Sequence, residues 1–369
     1  MINYIIPFLV LITVVVFIHE YGHYYFAKKY GVGVTDFSIG FGKEIFGWND
    51  KSGTRWKICL LPLGGYVKFF GDRNVFSQAE QKELINQYKE EDRKKLFILK
   101  PLYQRSIIVF AGPLANFILA IVIFVMINMF VGKDITPAII DEVVEDSPAY
   151  ISGMKKGDKI ISIDNRKVDS LLQVSTLINA STSDSIEFLL LRNDSEISLF
   201  VIPNLEDGKD VLGNNTKKKI IGIRLLAPKD EFKREKLGPF KAIYYSINET
   251  WFVVVTSLKY LGKMIMGSAD TSQLGGPIKI AKITGQVSEH GIIPFLSIMA
   301  YISISLGLIN LFPIPMLDGG HLMFYFFEKV LGKPLSQRTQ EGFFRIGLFL
   351  LIFLMVFVTF NDIKDLNLF

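Results

Sequence analysis

Four stretches of the chain, 5–27, 107–131, 292–311 and 343–360, stay apolar long enough to cross a bilayer as helix, which takes roughly 20 residues for a hydrocarbon core of about 30 Å. This limits the fold more than any other feature, because a backbone in lipid must satisfy its own hydrogen bonds and a helix does so locally. The composition agrees. Of 369 residues, 50% are hydrophobic and only 21% charged, and the mean hydropathy is +0.33, too apolar for an ordinary soluble enzyme or a disordered chain. A single cysteine, Cys59, excludes an intramolecular disulfide framework and a cysteine-rich zinc module. The formal charge of +5 comes with no basic helix or aromatic-basic strand, so nucleic acid is not expected as a partner.

Residues 1–4 lack the positive charge of a secretory leader and the first apolar run outlasts a leader core, so this stretch reads as a retained span. Lysine and arginine crowd 28–105, and 312–342 carries Lys329, Lys333 and Arg338. The positive-inside rule then puts both loops in the cytoplasm, with the long 132–291 segment and both termini outside. A fifth apolar stretch, 240–266, is interrupted by Asn248, Glu249, Lys259 and Lys263. It reads as an interfacial or domain-packing amphipathic helix rather than a span. Between the first two spans, 38–72 reads as strands, with a turn at 49–53 and breakers at Pro62, Gly64 and Gly65. The charge-rich 78–100 reads as a solvated cytoplasmic helix.

The first span contains His19-Glu20-Tyr21-Gly22-His23. Residues i and i+4 share a helix face, so both imidazoles can reach one metal while Glu20 lies beside it to activate a bound water. Ionisable groups in a span are costly and mark a functional site by default. A catalytic zinc takes three protein ligands and keeps one position open for water. Third-ligand candidates lie in the proline- and glycine-broken segment 310–321, where Asp318 and His321 both have suitable chemistry. The topology lets these pieces meet, because 318 follows the cytoplasmic end of the third span only if 240–266 does not cross. A transporter or channel using the His/Glu/Asp cluster as an ion relay is the rival reading, as is a proteolytically inactive scaffold. Against them stand the absence of two symmetric halves and the presence of Glu20 as a general base.

Five motifs occur in order: His19 to His23, Pro62-Leu63-Gly64-Gly65-Tyr66-Val67-Lys68, Ala111-Gly112-Pro113-Leu114-Ala115-Asn116-Phe117, Gly275-Gly276-Pro277, and Asn310 to Gly320 with its Leu317-Asp318-Gly319 core. With them the chain resembles, over nearly its whole length, the site-2 protease family of intramembrane zinc metalloproteases. The likeness is to its bacterial branch of the regulator of sigma-E protease type, found in the inner membrane. The resemblance implies Zn2+ as cofactor, His19, His23 and Asp318 as ligands, Glu20 as the catalytic residue, Asn310 as a substrate contact, and His321 as a neighbour only. Relatives often carry a second asparagine where this chain has Ser305. The implied substrates are single-pass membrane proteins already shortened outside, such as anti-sigma factors and remnant signal peptides. Residues 135–226 resemble a single PDZ domain acting as a filter, and 38–72 a sheet dipping toward the site, whose free edge holds the substrate extended.

The expected fold is therefore an α-helical multi-pass membrane protein with a membrane-associated β-sheet and one extracytoplasmic PDZ-like α+β domain. Its divisions are a first span (1–27), a cytoplasmic or membrane-dipping region (28–105), a second span (106–132) and the PDZ-like domain (133–228). They continue with an amphipathic helix and linker (229–290), a third span with the Leu-Asp-Gly motif (291–321), a cytoplasmic loop (322–342), a fourth span (343–361) and a tail (362–369).

Overall fold

A computed structural model of the chain describes residues 2–71, 88–209, 215–226, 233–267 and 275–365. Helix α1 (Ile2–Lys29) leads into strands β1 (Val34–Asn49) and β2 (Arg55–Phe69) and then α2 (Leu102–Phe130). Next come β3 (Ile140–Val143), β4 (Lys159–Ile163), β5 (Arg166–Lys167), α3 (Leu171–Ala180), β6 (Ile186–Arg192) and β7 (Ser195–Val201). They are followed by β8 (Asn204–Lys209), β9 (Asn215–Ile220) and β10 (Ile223–Leu225). Helices α4 (Pro239–Ile265), α5 (Pro277–Glu289), α6 (Ile292–Asn310), α7 (Asp318–Leu331) and α8 (Gln337–Asp365) complete it. Among the described residues, α1, α2, α6 and α8 are the four helices long and apolar enough to span a membrane. Two of them begin before the apolar windows, at Leu102 and Gln337, because a hydropathy window stops at the first charges whereas the hydrogen-bonded helix continues into the polar zone.

The chain divides into two compact units, the first comprising 1–123 and 275–369. In it, β1 and β2 make a sheet richer than a hairpin. Residues 36–39 pair on one side with 65–68 and on the other with 55–58, while 44–49 pair with 55–59. Gly40 and Gly42, both at φ +89°, supply the left-handed backbone that turns β1 back across β2. The turn between the strands falls at 50–54, one residue beyond the expected 49–53. Two expectations change. The charge-rich 78–100 is no long helix where it is described: it holds a single turn at Glu90–Arg93 and a 3-10 turn at Phe97–Leu99, and 78–87 lie outside the described residues. The expected loop at 322–342 is mostly helical: 322–331 continue α7, where Phe324 and Tyr325 give a buried face, and 337–342 already belong to α8.

Helix α5 falls in what the sequence reading treated as linker. Pro277 at its first turn has no N–H to satisfy. Asp362 of α8 accepts hydrogen bonds from the backbone N–H groups of Gly276 (2.8 Å), Ile278 (3.0 Å) and Lys279 (3.0 Å). A carboxylate from a distant helix thus does the work of an N-cap, meeting both the orphan donors and the positive end of the dipole.

The second unit, 124–274, is built on a four-stranded sheet ordered β5-β4-β6-β7. Burial alternates along β6, so Ile186, Phe188 and Leu190 point inward to meet Ile160 and Ile163 of β4 and Val174, Leu177 and Ile178 of α3. The hairpins turn on Asp164-Asn165 and Asn193-Asp194, all at positive φ, as the right-handed twist of paired strands favours. Asp158, 1% exposed, is held by Arg192 at 2.6 Å. Burial alone would raise its carboxyl, and the guanidinium outweighs that to hold it below the usual range. Helix α4 packs Phe252 on this core, places Glu249 3.1 Å from Arg166, and lies with Tyr245 under Lys133. Its opposite side exposes Phe240, Tyr244, Ile247 and Trp251, and of the charges that interrupt its apolar run Glu249 and Lys263, the latter 3.9 Å from Asp184, serve contacts within the unit.

Candidate active site

The two histidines of α1 face α2 at a crossing made possible by small residues. A Cβ on Gly22 would lie 2.3 Å from the Ala111 carbonyl, and one on Gly112 would lie 2.3 Å from His23 Nε2 and 3.0 Å from His19 Cε1. Glycine at both positions lets the backbones approach closely. His23 Nδ1 lies 2.9 Å from the Ile108 carbonyl oxygen. A carbonyl only accepts, so Nδ1 carries the proton and the Nε2 lone pair faces the opposite way.

His19 is 7% exposed, and its Nδ1 sits 3.3 Å from the side-chain amide of Asn116, a fully buried residue of α2. The other amide atom, Asn116 Oδ1, is buried without a hydrogen-bond partner. Exchanging the two near-isosteric amide atoms lets Oδ1 accept from Nδ1–H and frees His19 Nε2 as a ligand. Sequence reading quoted Asn116 within a motif and gave it no role. The signal was there, a lone amide in an apolar span.

Asp318 arrives by an unusual backbone path. Helix α6 stops at Asn310, and Pro313 and Pro315 forbid its continuation. The intervening loop turns through Met316 at φ +93°, a conformation costing a non-glycine residue about 1–3 kcal/mol. Gly319 and Gly320 then nest among main-chain carbonyls. Added Cβ atoms would meet the Leu311 and Phe312 oxygens at 2.3 Å and the Ile314 oxygen at 2.4 Å. Asp318 thereby becomes the first residue of α7. The far half of α7 is tied to α2 by Glu328, which accepts from Arg105 Nη2 at 2.5 Å and Nη1 at 3.2 Å, and the Arg105 side chain is only 7% exposed.

His19 Nε2 and His23 Nε2 are 3.2 Å apart, and Asp318 Oδ2 lies 3.2 Å from the first and 3.5 Å from the second. Ligands about 2.0–2.1 Å from a tetrahedral zinc are separated by roughly 3.3–3.4 Å, so the triangle has the size zinc requires. Asp318 Oδ2 is moreover buried without a hydrogen bond, a costly state for a carboxylate that a cation would relieve. The donor set of two imidazoles and one carboxylate suits zinc, and these residues fit it. They form the one converging group of three metal-ligating side chains among the described residues.

Glu20 points to a different side of α1, toward the sheet. A Cβ on Gly65 would be 3.5 Å from Glu20 Cγ, and the Val67 backbone hydrogen-bonds the Glu20 carboxylate. The segment 65–68 has no second neighbour among the described strands, so an open strand edge runs beside the carboxylate. Of the two third-ligand candidates, Asp318 joins the histidines, while His321 packs against Phe344 (ring centroids 5.8 Å) and Phe324 (6.5 Å). Asn310 is the half-buried last residue of α6. Ser305 is exposed, with its hydroxyl donating to the Tyr301 carbonyl at 3.0 Å.

The model of peptidase family M50 matches residues 7–354. A Mesorhizobium japonicum protein is 39% identical over 359 residues, covering 97% of this chain and 98% of its own length. One from Rickettsia conorii is 38% identical over 365 residues, 98% and 99% of the two chains. Both carry zinc-metalloprotease names. A third relative, named metalloprotease MmpA, from Caulobacter vibrioides, is 35% identical over 387 residues, 99% and 96% of the two. Since the matched region begins ahead of the two histidines and extends past Asp318 into α8, the chain is a member of peptidase family M50.

Proposed function

We propose that this multi-pass membrane protein is a zinc endopeptidase that cleaves within the transmembrane segments of single-pass substrates. The observation that carries the reading is the meeting of His19 Nε2, His23 Nε2 and Asp318 Oδ2 within 3.5 Å of one another, with Glu20 next to the first histidine. His19, His23 and Asp318 would hold the zinc, which would supply Lewis-acid polarisation of a scissile carbonyl and a water of lowered pKa. Glu20 takes the proton of the attacking water and delivers it to the leaving amine. Ile108 and Asn116 hold the imidazoles with Nε2 toward the shared centre, and Asn310 contacts the substrate. A transmembrane substrate must unwind first, because helical hydrogen bonding shields its peptide bonds. The open edge at 65–68 beside Glu20 receives it as an added strand.

Metal analysis tests this reading. The purified protein should hold about one zinc per chain. Asp318→Ala should lose it and His321→Ala keep it, the reverse pattern overturning the ligand assignment, and a chelator should abolish cleavage.

The second unit serves as an outward filter in this reading, with the protein in the bacterial inner membrane and both termini outside. Support for a PDZ-like domain at 133–228 comes from the four-stranded sheet, the single helix α3, and Gly222 at φ +79° ahead of β10, where a peptide could add at a strand edge. Anti-sigma factors and remnant signal peptides, once shortened outside, are the substrates it admits. Replacing this domain by a short linker should leave zinc and hydrolysis of a trimmed substrate intact while permitting cleavage of one with a bulky outward domain. Unchanged cleavage of both refutes the filter.

A further inference from the structure

The turn between β1 and β2 is closed by Asp50 alone. Its Oδ1 accepts from the Ser52 N–H (2.8 Å), the Ser52 hydroxyl (2.7 Å) and the Thr54 N–H (2.9 Å). A turn of this kind needs only one carboxylate oxygen. The other, Oδ2, reaches outside the turn and accepts from the Tyr24 hydroxyl at 2.8 Å and the Trp56 indole N–H at 3.1 Å. Tyr24 belongs to α1 and directly follows His23, whereas Trp56 is the second residue of β2. One oxygen therefore joins the helix bearing the metal-ligating histidines to the sheet.

Around this junction the two elements share an aromatic cluster. Trp56 stacks on Phe37 at 4.2 Å between centroids and meets Tyr24 edge-on at 5.2 Å, and Phe37, fully buried, also contacts Phe17 of α1 at 5.6 Å. Residues 13, 17, 20 and 24 share one face of α1, spaced as a helix repeats. At the far end of that face the hydrogen bond is weak, Thr13 Oγ1 donating to the Pro62 carbonyl at 3.4 Å. Glu20 and the edge strand 65–68 lie between the two ties. Burial would raise the Asp50 carboxyl, but the donors from Ser52, Thr54, Trp56 and Tyr24 together hold it well below the usual range, so it is a full charge at neutral pH and its hydrogen bonds are the stronger, charge-assisted kind.

We propose that Asp50 and Tyr24 form a latch that fixes where edge strand 65–68 lies along α1, and so which peptide bond of an extended substrate is presented to Glu20. The inference rests on the proteolytic reading above. Aromatic packing alone resists separation of sheet and helix but permits sliding, because stacking is tolerant of small lateral shifts whereas a hydrogen bond fixes distance and direction. Strand pairing makes register an all-or-none matter: a slip of one residue turns every substrate side chain to the opposite face. Asp50 and Tyr24 are thus positioning residues for cleavage-site choice and touch neither metal nor substrate.

Tyr24→Phe isolates the latch, since it removes one hydroxyl and leaves the ring packing and all hydrogen bonds within the turn. Asp50→Ala removes latch and turn together. Each variant, reconstituted in vesicles with a membrane-embedded single-pass substrate, should keep its zinc, spread cleavage from one bond to its neighbours, and lose about tenfold in kcat/KM, the size of one hydrogen bond to a charged group. The double variant should be no worse than Asp50→Ala. Amide hydrogen exchange without substrate should show lowered protection at 65–68 in both. Tyr24→Phe cutting only the wild-type bond at the wild-type rate overturns the role in site choice. Should the wild-type chain cleave nothing, the proteolytic reading fails on its own account, and unchanged exchange at 65–68 in Tyr24→Phe then overturns the latch independently.

Discussion

Glu20→Gln should bind zinc as the wild type does and cleave a membrane-embedded substrate between about 10²- and 10⁴-fold more slowly, the range general-base catalysis supplies. That loss corresponds to about 3–5 kcal/mol of transition-state stabilisation. Glutamine retains the length of the side chain and its capacity to accept from the Val67 backbone, so the sheet contact survives and only proton transfer is lost. The reading to take is zinc content beside single-turnover cleavage, because a KM effect alone would indicate substrate binding. Wild-type activity in this variant would overturn the hydrolytic mechanism. A chain that holds zinc but cleaves nothing even as wild type would be a scaffold, and ion flux sensitive to Glu20 would make it a transporter.

Gly112→Ala should cripple metal binding through a single methyl. Its Cβ would lie 2.3 Å from His23 Nε2 and 2.4 Å from His23 Cε1, so either both rings rotate off the shared centre or α2 retreats from α1. Overpacking of this kind costs about 1–3 kcal/mol, and misplacing a ligand ring by its supporting contacts costs about 10- to 100-fold in metal affinity. Here both histidines move together, so the loss should reach or exceed the upper end. Gly342→Ala is the control, since a Cβ there meets nothing within 4 Å. Competition against a chelator gives the affinities directly. Equal zinc binding by the two variants would show that the helices separate at little cost and that the crossing does not set the site.

The candidate site divides by how its geometry is encoded. His19, Glu20 and His23 were legible because an α-helix repeats in a fixed way, and five residues on one helix can be placed without knowing the rest. Asp318 and His321 could not be separated by residue type or spacing. What brings Asp318 to the histidines is the loop from Leu311 to Leu317, with Met316 at φ +93°, and methionine carries no local preference for that backbone. The family resemblance had assigned Asp318 by position, which the residues alone could not do. Strand alternation revealed 38–72 as sheet, but the double pairing of 36–39 depends on two glycines whose signs of φ are not written in a hydropathy pattern. Helix α5 escaped notice because half its residues are polar and its capping carboxylate, Asp362, lies 86 residues from Gly276 in sequence. Asn116 and Arg105 were missed for the same reason: each acts on a partner in another helix.

The triangle of His19, His23 and Asp318 joins parts of the chain separated by roughly 300 residues, a non-local closure of the kind that forms late in folding. During synthesis the ribosome delivers the paired imidazoles first and the carboxylate only after roughly 300 further residues have been made. A nascent or truncated fragment ending before Asp318 carries Glu20 and both histidines yet lacks the carboxylate that completes the triangle. On the proteolytic reading proposed above, translation order therefore keeps a hydrolytic centre from forming before the third span and Asp318 have been made.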